Sequence, residues 1–181
     1  MSIYKLYINS IITIENLKQG LYIFVYRASK TPPHIGMIVN GKLYDINSVG
    51  PNIDLSVDDF YTTIINRKTE VIFIELAFNN RVDLNQLITQ KVNKYWKVSS
   101  NTSCLTPIKD FINEVYNIEV NKSKFIFELL PLLYDKNLVK GVSQLNLSDK
   151  ISSGVFKLIK YTEKDIEKCI EALNRKDKIV C

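Results

Sequence analysis

LYIFVYRASKTPPHIGMIVNGKLYDI, residues 21–46, holds three strand-like runs separated by two kinds of break. Leu21–Arg27 is aromatic and β-branched and follows Gly20, the composition of a buried strand. Pro32 and Pro33 interrupt that run. Beyond His34, Asn40-Gly41 lies between two apolar runs. Both central residues of a type I′ turn need positive φ, which Asn and Gly adopt at least cost, so this pair predicts a hairpin whose first strand opens at His34.

Working outward, Asp54–Ile65 (DLSVDDFYTTII) spaces Leu55, Val57, Phe60, Ile64 and Ile65 in a nearly helical pattern, with acids early, and predicts a short helix. Glu70–Phe78 (EVIFIELAF) is nearly all apolar and predicts a central strand. Val82–Lys97 predicts an amphipathic helix with Leu84, Leu87, Ile88, Val92, Tyr95 and Trp96 on its core face. The polar run from Ser99 to Ser103 then leads into Cys104, after which Ile108, Phe111, Ile112 and Val115 recur at helical spacing. Ser103 capping a helix that begins at Cys104 is the favoured reading, and Thr106-Pro107 offers an alternative start just downstream. Towards the C-terminus, Lys124–Tyr134 is apolar but interrupted by Pro131, Gly154–Tyr161 suggests a strand, and Thr162-x-x-Asp165 opens a helix to Leu173. The expected fold class is therefore α+β, a small antiparallel sheet with packed helices. Asp135–Asp149 would separate a core over residues 1–135 from a C-terminal extension, 136–181, packed on the same domain.

Composition bounds what such a domain does. The chain has 181 residues, 46% of them apolar and 24% charged, an ordinary globular balance with enough length for one core. Every hydrophobic run is broken well short of the roughly 18–20 residues a membrane helix needs. MSIYKLYINSIITIENLKQG reads as folded structure and not as a signal peptide, so a cytoplasmic location is expected. Three widely spaced cysteines fit neither a disulfide framework nor a zinc site. Of these, Cys169 between Ile166 and Ile170 reads as a small core hydrophobe, and Cys181 as an exposed terminal thiol. A net charge of +5 is spread among acids, and the aromatic residues lie in apolar runs, so nucleic-acid binding is only a minor alternative. With neither a phosphate-binding loop nor a metal-ligand cluster in the sequence, no cofactor or metal is expected. Nothing in the pattern fixes an oligomeric state.

Cys104 and His34 carry the chemistry. A thiol at a helix N-terminus meets the partial positive charge of unpaired N–H groups, and a neighbouring imidazolium favours its thiolate further. Those N–H groups also suit the oxyanion formed when a thiolate attacks a carbonyl. Such a nucleophile needs a base, and His34 is the chain's single histidine. Asp45 and Asn47, on the neighbouring hairpin strand, are the candidates to orient its ring, Asp45 first. Ser100 or Asn101, before the nucleophile, is a candidate second oxyanion donor by position alone.

LKQGLYIFVYRASKTPPHIGMIVNGKLYDI followed by SCLTPIKDFINEVYNI resembles the circularly permuted NlpC/P60-like thiol enzymes, a group that includes the lecithin:retinol acyltransferase-like proteins. The loose pattern H-x-G-x-x-x-x-G is matched by His34, Gly36 and Gly41, and Cys104 matches the later cysteine at a helix start, giving the permuted order of histidine before cysteine. Residues 17–117 are covered. The second histidine of many acyltransferase-like members is absent, leaving Asp45 or Asn47, and Ser103-Cys104-Leu105-Thr106-Pro107 stands where an Asn-Cys-Glu-His-Phe type start is usual. The resemblance thus implies a papain-like architecture and peptidase or amidase activity on a peptide, amide or ester rather than lipid acyl transfer. Some viral and phage proteins look similar, which would place the chain in a host cytoplasm or a virion. A non-catalytic binding or structural protein on the same fold is the alternative.

Overall fold

Leu21, Ile23 and Val25 of strand β3 (Leu21–Tyr26) face one way and Tyr22 and Phe24 the other, since successive strand side chains alternate. Both sets are buried, so the sheet must be covered twice. The computed structural model, which describes residues 2–79 and 82–177, puts β3 at the centre of a seven-stranded sheet. Across it run β2 (Ser10–Ile11), β8 (Val139–Leu145), β7 (Val71–Leu76), β3, β4 (His34–Val39), β5 (Lys42–Ile46) and β6 (Pro51–Ser56). All neighbours are antiparallel except β2 and β8. Strands β1 (Ile3–Tyr7) and β9 (Val155–Ile159) form a separate antiparallel pair.

One sheet face buries Ile23, Val25, Ile35 and Met37 against helices α3 (Leu84–Asn93), α4 (Thr106–Tyr116) and α5 (Ile126–Asp135). The opposite face buries Phe24, Ile38 and Phe73 against α1 (Ile14–Leu17) and α2 (Val57–Arg67). The mixed α+β class expected from sequence is what the chain forms. Its hairpin is also the expected one: Val39 pairs with Lys42, and the two turn residues take positive φ, 48° at Asn40 and 79° at Gly41.

Three expectations need correcting. The segment expected as a helix from Asp54 begins as strand: β6 pairs with β5 at the sheet edge, and α2 starts only at Val57. Leu55 matched the helical spacing by coincidence and is 45% exposed. Trp96, expected on a core face, is 77% exposed, because α3 stops at Asn93 and carries the helical register no further. Residues after 135, expected as an extension on the core, supply β8, which lies inside the main sheet between β7 and β2. No helix among the described residues is long and apolar enough to cross a membrane.

Candidate active site

His34 opens β4 directly after the Pro32-Pro33 break and pairs across the ladder with Tyr26. Alternation puts its side chain on the same face as Gly36, and Asp45 comes from the adjacent strand β5. A Cβ at Gly36 would lie 2.2 Å from Phe24 Cζ and 2.9 Å from Asp45 Cβ, so only glycine lets these groups close around the histidine. His34 Nε2 lies 2.9 Å from Asp45 Oδ2, and the other carboxylate oxygen accepts from Asn52 Nδ2 at 2.8 Å. Asp45 is only 6% exposed, so both its oxygens are engaged where water has little access. Burial by itself would depress the His34 pKa. The hydrogen bond to Asp45, the nearby Cys104 sulfur, and the charges of both outweigh it and push the imidazole up to about 10.

With Nε2 taken by Asp45, Nδ1 is the ring nitrogen left for Cys104. The thiol arrives from the other layer, in the turn that leads into α4. That helix begins at Thr106, with Leu105 at the N-cap and Pro107 in its first turn. The favoured start at Cys104 is therefore corrected to the downstream alternative. Proline is pre-shaped for the first helical turn and lacks the N–H that would go unpaired there. A tight turn fixes the thiol upstream of it: Thr106 N–H donates to the Ser103 carbonyl at 3.0 Å, and Ser103 N–H donates to Thr106 Oγ1 at 3.1 Å. The partial charge of the helix end is correspondingly weaker at Cys104, since it fades within about one turn. The backbone N–H groups of Cys104 and Leu105 find no acceptor among the described residues, and of the two residues Leu105 is buried and Cys104 half-buried.

Cys104 and His34, both half-buried, border one open, mainly apolar groove of about 330 Å³, with Pro33, Val98 and Leu105 among its walls. Helix α6 (Glu163–Asp177) contributes Ile166, Cys169 and Ile170 to the far wall. Cys169 is therefore half-buried on the groove wall and not sealed in a core. Tyr161 closes another side, its phenol raised well above the ordinary range by burial first and by the charge of Cys104 second, so it stays protonated.

The other sequence candidates fall elsewhere. Asn47 borders the groove, but its side-chain oxygen accepts the N–H groups of Val49 and Gly50 at 2.8 and 3.1 Å, closing its own turn instead of holding His34. Ser100 and Asn101 are exposed at the tip of the Ser99–Thr102 turn and border a neighbouring hollow with Thr106 and Lys109, outside the Cys104 groove. Asn52 was not foreseen: it lies on β6, which the sequence did not mark as a strand, and no local signal ties it to Asp45. Cys181 lies outside the described residues. Among the described residues no three His, Cys, Asp or Glu side chains cluster as a metal site. Compared with protein-family models, curated proteins and solved structures, the chain finds no match.

Proposed function

We propose that the chain is a cysteine hydrolase, a peptidase or amidase on a circularly permuted papain-like NlpC/P60 architecture, with Cys104 as nucleophile, His34 as proton carrier and Asp45 as the residue that positions His34. The observation that carries this reading is the convergence of an upstream strand histidine and a downstream thiol on one open groove, with a buried carboxylate 2.9 Å behind the imidazole.

In the reaction this supports, the Cys104 thiolate attacks the carbonyl carbon of an amide or ester whose acyl side lies along the apolar groove. The oxyanion accepts from the backbone N–H of Cys104, which has no acceptor among the described residues. The C–N or C–O bond breaks, its electron pair leaves with the departing group, and His34 Nδ1–H protonates that group, leaving a thioester on Cys104. Water, deprotonated by His34, then releases the acid and restores the thiol. Asp45 favours the imidazolium that this sequence requires.

The direct test is site-resolved alkylation. Iodoacetamide at neutral pH is expected to modify Cys104 well before Cys169, although both border the groove, and His34→Ala is expected to erase the difference. Equal rates at the two thiols in the unmodified protein would rule the assignment out.

A further inference from the structure

On the Asp45 side of His34 lies a second hollow, of about 450 Å³, that the hydrolysis described above leaves unassigned. Tyr26, His34 and Asn47 border both this hollow and the Cys104 groove, so the two adjoin across the imidazole. The walls differ in kind. Phe24, Tyr26 and Phe60 form an aromatic cluster, the Phe60 ring centroid lying 5.0 Å from that of Phe24 and 6.0 Å from that of Tyr26. Helix α2 brings Asp59 to the rim, exposed and without a salt bridge among the described residues, whereas its neighbour Asp58 is held by Lys18 at 3.2 Å. No lysine or arginine among the described residues borders this hollow. Arg27, whose guanidinium sits 5.8 Å from the Tyr26 ring centroid, borders the first groove instead. Asp45 pairs with the His34 imidazolium, which leaves the Asp59 carboxylate, beside aromatic faces, as the charge complementary to an ammonium group.

We propose that this hollow is the leaving-group subsite and that it takes an amine bearing a second, positively charged nitrogen. The proposal rests on the hydrolase reading above. While the acyl carbon is bonded to Cys104 Sγ and the acyl chain occupies the apolar groove, the departing nitrogen takes its proton from His34 and so leaves past the imidazole. In that step the C–N bond breaks with its electron pair on nitrogen, Nδ1–H supplies the proton, and the thioester stays on Cys104. The far end of the amine then lies between Phe60 and the Asp59 carboxylate.

The test uses three amides of one branched apolar acid, made with 1,4-diaminobutane, butylamine and 4-aminobutyrate, which share a length and differ in terminal charge. The full-length protein is expected to cleave the cationic amide with kcat/KM about fivefold above the neutral one, the scale of an exposed cation–π contact, and the anionic amide slowest. Asp59→Asn is expected to bring the cationic and neutral amides within about twofold by lowering cleavage of the cationic one. A readout independent of turnover is the backbone amide spectrum of the Cys104→Ala protein titrated with 1,4-diaminobutane. Shifts at Asp59, Phe60 and Thr63 that butylamine does not reproduce support the subsite. Such shifts with no amide cleaved would overturn the hydrolase reading and leave an amine-binding site standing. Cleavage without charge preference, or a preference that survives Asp59→Asn, would overturn the subsite and leave the hydrolase. Neither shifts nor cleavage would sink both.

Discussion

Replacing Asp45 by Asn isolates the electrostatic core of the site with almost no change in shape. Asp45 has two oxygens, one facing His34 Nε2 at 2.9 Å and one accepting from Asn52 Nδ2 at 2.8 Å. An amide has a single acceptor oxygen, so in Asp45→Asn either the ring or the Asn52 side chain must face an NH2 group. The negative charge that favours the imidazolium is lost in either orientation. A hydrogen bond to a charged group is worth about 1.5–3 kcal/mol net, which corresponds to roughly one to two pH units at about 1.4 kcal/mol per unit. The wild-type imidazole, at about 10, should therefore fall by that amount and stay protonated at neutral pH, so the decline of kcat/KM with rising pH should begin about one to two pH units earlier in the variant. Because the chain has one histidine, its imidazole Cε1–H resonance can be followed without ambiguity as pH is raised. A wild-type midpoint near 6.5, or a midpoint that Asp45→Asn leaves in place, would refute the reasoning, since neither is compatible with a carboxylate holding the proton on the ring.

The Gly36→Ala variant should be destabilised by about 1–3 kcal/mol, because the new methyl would lie 2.2 Å from Phe24 Cζ; a fall in the urea midpoint with unchanged slope checks this. Trp96→Ser should leave stability within about 0.5 kcal/mol, since the ring is 77% exposed and packs in no core, as thermal unfolding would show. The raised His34 pKa makes the folded state hold a proton that the unfolded chain releases near 6.5, so its contribution is complete below that pH and is lost as pH rises through about 10. Urea midpoints measured from pH 6 to 10 should accordingly fall more steeply in the wild type than in His34→Gln, and parallel curves would contradict the shift.

Much of the architecture follows from patterns that act over a few residues. The nearly all-apolar runs of β3 and β7 imply strands covered on both faces, and Asn40-Gly41 is the local chemistry of a tight hairpin, so these elements can be read before any contact is known. His34 at the mouth of that hairpin and Cys104 after a polar turn are legible for the same reason: each is marked by its neighbours in the chain. Pro107 also carried the correct start of α4, but Ser103 offered a competing cap, and only the folded turn, in which Ser103 bonds to Thr106, separates the two.

What the sequence alone could not decide depends on groups far apart along the chain. Strand β6 carries a weak pattern because it lies at the sheet edge with much of its surface in water, and its identity comes from pairing with β5. Asp45 ranked before Asn47 in the sequence, but strand alternation left both open. Tertiary structure separated them by giving Asp45 the buried position beside His34 and Asn52, and by engaging Asn47 in its own turn. The meeting of thiol and imidazole is likewise a property of the packed sheet and helices, because a side chain's local sequence sets its conformation while only the three-dimensional fold sets its distant neighbours.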